Sequence, residues 1–312
     1  MGSAVTIAPQ LTIPHSPFPI LHSQIMLWLF FAFLTAFFQS IRDVFNKTKL
    51  REFDEYLVTL TMTFFTAVSL SLLLFFFEIP SLGDRFWGAL FTSGTLNAFA
   101  LTTYIRAIKY YDLSQVTPIT TFTPLFLLIT SPLIVGEFPN FMGFMGIVLI
   151  VGGSYILNLK EKEKGYFAPW RSLLTNPGSR LALLVAFIWS ITSNFDKIGI
   201  QNSSPIFWAT CVCFWISILL LPVVILKSRK NLPPLNRRWF KLVGYSLLNS
   251  MMIGSQMTAL SLTLVSYVVS VKRTSALFSV IFGSLILKEG GVKEKLIGSI
   301  IMIIGVFSIA LA

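Results

Sequence analysis

Residues 107–137 read AIKYYDLSQVTPITTFTPLFLLITSPLIVGE, and residues 259–289 read ALSLTLVSYVVSVKRTSALFSVIFGSLILKE. Each is an apolar stretch with small hydroxyl residues that closes on a glutamate, and one register of 152 relates them. It pairs Ala107 with Ala259, Ser114 with Ser266, Leu125 with Leu277, Phe126 with Phe278 and Glu137 with Glu289. Outward from there it also pairs Trp87 with Trp239, Asn97 with Asn249, Gly146 with Gly298 and Gly153 with Gly305. Nearer the start of each half a register of 150 pairs Ser40 and Ile41 with Ser190 and Ile191, Phe45 with Phe195, and Lys47 with Lys197. Apolar coincidences are cheap in a hydrophobic chain, but Trp, Asn, Lys and Glu recurring in one order are not. The sequence is a duplicated unit.

The unit belongs in lipid. Of 312 residues, 54% are hydrophobic and only 12% charged, against about 25% charged in ordinary soluble domains. Thirty Phe outnumber the 24 Lys and Arg, and the mean hydropathy is +0.77. Such a chain cannot clothe a water-facing surface with polar side chains. Apolar runs fall near 27–47, 56–77, 86–106, 115–135, 142–159, 181–199, 205–226, 241–261, 267–287 and 295–312. Each approaches the roughly 20 residues that a spanning helix needs, and a helix satisfies its own backbone polar groups in lipid. The expected fold is all-α: a polytopic membrane protein of ten transmembrane helices. Five spans per unit is odd, so the second unit enters from the opposite side and the repeats are inverted. Residues 1–25, with Pro9, Pro14, Pro17 and Pro19 and no basic stretch before the first apolar run, read as a disordered leader rather than a cleaved signal; Met26 is an alternative start. The five-helix repeats are then 26–160 and 161–312. Trp28, Trp87, Trp239 and Tyr267 at span edges suit the interfacial belt.

Composition excludes several functions. Both histidines, His15 and His22, lie in the leader, so the body has no imidazole for catalysis or metal binding, and no cofactor is expected. Cys211 and Cys213 are two residues apart on one helix and read as packing thiols rather than a redox pair. The net charge of +11 sits in short loops beside spans, which is a topology signal and not a nucleic-acid footprint. Twenty basic residues follow odd-numbered spans, counting Arg42 with the first connection, whereas only Arg85 and Lys197 follow even ones. By the charge count alone that bias favours both termini outside the cytoplasm; both termini inside is the alternative, and the orientation stays open. No organellar transit signal is evident, which favours a bacterial inner membrane.

The two quoted segments, with the following FMGFMGIVLIVGGSYIL and EKLIGSIIMIIGVFSIAL, resemble the closing part of an EamA-type domain in two copies. The resemblance covers essentially all of 26–312. It implies membership of the drug/metabolite transporter superfamily, whose ten-helix members carry amino acids, other metabolites, nucleotide sugars or sugar phosphates. VVSVKRTSALFSVIFG is also similar to the ninth span of sugar-phosphate/phosphate translocators, where a Lys-Arg pair holds the substrate phosphate; here the matching residues are Lys272 and Arg273. The fourth span departs from that pattern, carrying Gln115, Thr117, Thr120, Thr121 and Thr123 and no lysine.

Lys272 and Arg273 are also singled out by position, about five residues inside the ninth span. Charge at that depth is costly and marks a functional site by default; snorkelling and helix-tying are the structural alternatives. Consecutive helical residues diverge by about 100°, so the pair can cover two sides of a cavity. No carboxylate lies at the middle of a predicted span: Asp43 and Asp196 fall near span ends, and Glu137 and Glu289 at turns. A cavity with only cationic charge favours an anion or the carboxylate of a zwitterion. Asn97, Asn249 and Gln256 offer uncharged donors and acceptors, with interhelical hydrogen bonding as the alternative role. Thr120 and Thr121 join them from span four, where Pro118, Pro124 and Pro132 predict a bend. Span nine has no proline and small residues instead, so the halves are expected to be unequal.

These features specify a secondary transporter that exports or exchanges a small polar metabolite, anionic or zwitterionic, such as an amino acid or a phosphorylated compound. Its partners are that substrate, the bilayer, and either a proton or an exchanged counter-substrate. A multidrug or cation exporter of the same superfamily and a non-transporting scaffold are the alternatives. An intramembrane enzyme would need a catalytic constellation at membrane depth that the sequence does not supply.

Overall fold

The computed structural model describes residues 18–49, 54–111, 116, 119–158, 176–227, 237–278 and 292–312. Among the described residues, ten helices of eight residues or more run in order: α1 (Phe18–Lys49), α2 (Glu55–Leu74), α3 (Phe86–Tyr110), α4 (Thr123–Ile134), α5 (Phe141–Asn158), α6 (Pro177–Gln201), α7 (Pro205–Lys227), α8 (Arg237–Leu262), α9 (Val265–Lys272) and α10 (Val292–Ala310). No strand occurs among the described residues. The protein is an all-α polytopic membrane protein. By length and composition α2, α6 and α7 can each cross a bilayer unaided, while the apolar parts of α1, α4, α5 and α10 are shorter. Large apolar side chains such as Phe64, Phe75, Leu133, Phe187, Ile225 and Phe307 face outward, which is the side lipid would cover.

Helix ends follow from local chemistry. The Asp54 carboxylate accepts the N–H groups of Tyr56 and Leu57 and starts α2, and Asn176 takes the N–H of Gly178 at the start of α6. These caps satisfy donors that the first turn leaves open. Gly136, at φ 71, turns the chain after α4 in the left-handed region that glycine tolerates best, and so aims Glu137 back over the bundle. Helix α1 begins at Phe18, eight residues before the boundary drawn from sequence.

Interhelical packing repeats the duplication. Helix α1 packs on α8 and α3 on α6, exchanged by swapping halves, while α2–α7, α4–α9 and α5–α10 each pair equivalent helices. The last pair gives the sense of insertion. A Cβ on Gly146 would meet the Gly305 carbonyl, and one on Gly305 would meet that of Gly146; Gly153 and Gly298 form the same reciprocal contact. An early glycine of α5 therefore meets a late glycine of α10 and the reverse, so the equivalent helices run antiparallel. The repeats are inverted, and bare glycines let the two backbones touch.

The interfacial assignment of two aromatics does not hold. Trp28 and Tyr267 are buried, their rings tilted by 31° with centroids 6.4 Å apart, and the Tyr267 ring lies over the bare backbone of Gly143. Trp87 is exposed. Trp239, Asp43, Lys47, Gln115, Thr117, Pro118 and Glu289 lie outside the residues whose side chains are described. Cys213 is buried and Cys211 half-buried, and both are free thiols.

Candidate functional site

Helices α4 and α9 pack against each other, and both are interrupted. In the first repeat Ile119 and Thr120 are helical, Thr121 and Phe122 turn, and the helix resumes at Thr123. In the second, α9 ends at Lys272, Arg273 and Thr274 turn, and helix resumes over 275–278. The register of 152 maps one break onto the other, and their hydrogen bonds match. Phe122 N–H reaches Ile119 O (3.2 Å) and Leu125 N–H reaches Phe122 O (2.9 Å). Thr274 N–H reaches Val271 O (2.9 Å) and Leu277 N–H reaches Thr274 O (2.9 Å). These are short-range bonds of the 3₁₀ type, a tightened turn that often marks a functional hinge. The expectation of a bend in span four alone is corrected: the proline-free helix breaks at the same place.

Different chemistry holds each break. Pro124 has no N–H for the Thr120 carbonyl, and the Thr123 hydroxyl donates to that carbonyl at 2.9 Å instead. In α9 the Thr274 hydroxyl donates to Val271 O at 2.7 Å. Thr120 and Thr121 are buried on one side of the pair, Arg273 on the other. Lys272 Nζ donates to Gln256 Oε1 at 2.6 Å, and Gln256 is itself buried on α8. Lysine and arginine at the C-terminal end of a helical segment also meet its partial negative charge, which offsets part of their burial cost.

The paired asparagines tie the two halves together. Asn249 Oδ1 accepts from Arg42 Nη1 of α1 at 3.1 Å, and its Nδ2 donates to Thr66 Oγ1 of α2 at 3.0 Å. Asn97 Oδ1 accepts from the Thr192 hydroxyl of α6 at 3.4 Å, and its Nδ2 donates to Ser93 Oγ at 3.2 Å. Asn249 is thus a buried knot of three helices rather than an open cavity amide. Asn194 is likewise saturated, holding Ser131, Thr130 and the Ser190 carbonyl.

Two charges that sequence placed in or beside loops lie inside the bundle. Arg42, assigned to the first connection, is within α1 because that helix runs on to Lys49. Asp196, assigned to a span end, is buried in α6. Ser93 Oγ donates to its Oδ1 at 2.6 Å and Trp208 Nε1 does so at 3.1 Å; Gly199, one turn on, leaves room for the Trp208 ring. Lys272 is within Coulombic reach of this carboxylate. The expectation that only positive charge is buried therefore fails. The SIRDVFNK and SITSNFDK octets carried a warning, since both repeats keep polar residues there at helical spacing.

A third cluster closes one end. Glu137 Oε2 accepts the N–H of Val265 at the start of α9 (2.7 Å). Lys197 Nζ donates to the carbonyls of Leu260 (2.6 Å) and Thr263 (2.9 Å) at the end of α8. Each charge is opposite in sign to the helix end it meets, and the two side chains lie 3.6 Å apart. Glu137 thus organises a turn, as expected, and Lys197 is a buried clamp rather than an interfacial anchor.

The comparisons agree with this architecture. A solved structure described only as "Crystal structure of protein" superposes with a TM-score of 0.72 at 14% identity, over 93% of this chain and 98% of the other; at that identity it speaks for the fold. An "Uncharacterized transporter in cobO 3'region" of Sinorhizobium sp is 27% identical over 134 residues, 42% of this chain and 95% of that protein, a length that suits one repeat. The pattern of the EamA-like transporter family matches residues 26–159 and, a second time, residues 176–311. With both halves matched, the chain belongs to the EamA-like transporter family.

Proposed function

We propose that the protein is a secondary transporter working by alternating access, which exports or exchanges a small polar metabolite bearing an anionic group. Two inverted repeats supply two near-equivalent arrangements, each open to one side. Interrupted helices that meet between such repeats are a recurrent way to build a substrate site. The observation that carries the reading is the pair Lys272 and Arg273 at the α9 break, set against the buried Thr120 and Thr121 of the α4 break. Gln256 positions the lysine; Asn97 and Asn249 contribute by fixing the helices around the site. The setting is a bacterial inner membrane, with a proton or counter-substrate completing the cycle. No catalytic step is invoked.

Asp196 favours a second reading, cation export, because a buried carboxylate can hold a cation. One experiment separates the two. Purified protein in liposomes preloaded with unlabelled compound is offered labelled phosphate, glutamate or tetraphenylphosphonium. Uptake of an anion that is lost in Lys272→Ala and Arg273→Ala supports the proposal. Uptake of tetraphenylphosphonium alone, or anion uptake indifferent to both substitutions, overturns it.

A further inference from the structure

We infer that Asp196 is a proton site coupled to the anion site, so that the substrate anion and a proton cross the membrane together; this rests on the anionic reading above. Asp196 is buried in α6. A carboxylate at membrane depth is costly, and carrying a proton is a recurrent use of one. A directed chain of hydrogen bonds runs to it along the seam of α3 and α6. The Thr192 hydroxyl donates to Asn97 Oδ1, Asn97 Nδ2 donates to Ser93 Oγ, and Ser93 donates to Asp196 Oδ1. Trp208 of α7 donates to the same oxygen. No hydrogen bond among the described residues ends on Oδ2. Tying the helices therefore uses one oxygen, which an asparagine amide would supply as well. The register of 150 places Asn46 at the matching position of the first repeat, so the duplicated unit does not require an acid there. What the acid adds is a second oxygen that can take a proton.

The ionisable groups around Asp196 are few. Lys272 faces it from α9 and the Cys213 thiol from α7. Helix α4 has no ionisable side chain, α3 has none from Phe86 to Thr103, and α8 has none from Ser246 to Leu262. On α6 itself Lys197 meets Glu137, and Arg180 lies near the opposite end of the helix. Lys272 is thus the charge that links Asp196 to the α9 break, where the anionic reading puts the substrate. An anion at that break and a carboxylate on Asp196 repel each other across one lysine. Proton uptake by Asp196 relieves the repulsion, and by linkage each event favours the other to the same extent. The proton enters on Oδ2 from water on the open side and leaves Oδ2 to water on the other side; no bond between heavy atoms changes. Ser93 belongs to the first repeat and Asp196 to the second, so rocking of one repeat against the other alters the surroundings of the carboxylate between the two states. The anion is exported or exchanged as its net acid.

The test uses the full chain in liposomes with the membrane potential clamped at zero. Labelled glutamate and labelled phosphate are offered across a gradient of about one pH unit, alkaline inside, and also in counterflow without a gradient. Asp196→Asn keeps the oxygen that Ser93 and Trp208 bond but takes no proton, and its counterflow reports that it folds. It is also the reference for phosphate, which itself titrates in this range. With accumulation normalised to counterflow, wild type is expected to exceed Asp196→Asn by about tenfold, the ratio for one proton per anion across one pH unit. Asp196→Glu should restore part of the difference. Equal normalised accumulation in wild type and Asp196→Asn overturns the inference and leaves the anionic reading standing. Loss of counterflow together with accumulation in Asp196→Asn makes Asp196 a tie between helices or a part of the substrate site, and overturns it as well. If wild type carries neither anion, or carries tetraphenylphosphonium instead, the anionic reading falls and this inference with it.

Discussion

In α4 the interruption has an evident local cause, since Pro124 leaves the Thr120 carbonyl to a threonine hydroxyl, whereas α9 is interrupted at the matching Arg273 and Thr274 with no proline anywhere in the segment. The backbone hydrogen bonds of the two turns are nevertheless equivalent. The location of the break thus belongs to the duplicated fold, and proline is one means of securing it. What differs is the cargo of side chains each break presents: hydroxyls on α4, cations on α9. A conserved bend with divergent chemistry is how a symmetric frame can hold an asymmetric molecule.

The largest expected effect strikes the link between the two helices, since Glu137 at the end of α4 caps the start of α9. Lys197→Met leaves the half-buried Glu137 without its cation and empties the buried position of the lysine ammonium; breaking a fully buried pair costs about 3–5 kcal/mol, an upper bound here. Thermal melts should fall steeply in Lys197→Met and recover in part when Glu137→Gln is added. A double variant worse than the single would show that the pair does not act as a unit.

The comparison itself is tested by truncating both breaks. Arg273→Ala or Lys272→Ala removes charge-assisted bonds worth about 1.5–3 kcal/mol, roughly ten- to hundredfold in substrate affinity. Thr120→Ala or Thr121→Ala removes neutral bonds worth about 0.5–1.5 kcal/mol, roughly two- to tenfold. Equal losses on both sides, measured as concentration dependence of uptake, would mean that the polarity of the site has been misassigned.

Packing along the seam of α5 and α10 gives a smaller contrast. A Cβ at Gly153 would sit 2.5 Å from Met302 Cγ and 2.6 Å from the Gly298 carbonyl oxygen, whereas nothing lies within 4 Å at Gly152. Gly153→Ala should lower the melting temperature, with overpacking costs of about 1–3 kcal/mol. Gly152→Ala should be neutral or raise it, alanine being favoured in helices by up to about 1 kcal/mol. The smallest effect is expected for Pro124→Ala. With the fold fixing the break, the α4 turn should persist and stability should change by less than about 1 kcal/mol; a large gain in stability with loss of uptake would instead make proline the cause of the bend.

The repeat, the ten helices and the inverted arrangement could be read from sequence because they depend on hydropathy and on residues recurring in register. Lys272 and Gln256 stood out singly as polar residues inside apolar runs, but their contact did not, since no local pattern relates these positions on two different helices. The inward setting of Arg42 and Asp196 was not legible, because both fall near the ends of the runs drawn at 27–47 and 181–199, and position along a span does not tell which neighbouring helices enclose a side chain. The burial of Tyr267 depended on a glycine more than a hundred residues away, a contact that no local pattern contains. The break in α9 left no residue signature of its own and became visible only through its partner.

The glycine seam between α5 and α10 is self-complementary: each helix offers the other the same two notches in reverse order. A single five-helix polypeptide bearing that surface would be equipped to recognise an upside-down copy of itself. Fusion into one chain then frees the two copies to drift apart in sequence, so that one can gather arginine and lysine while the other keeps its hydroxyls.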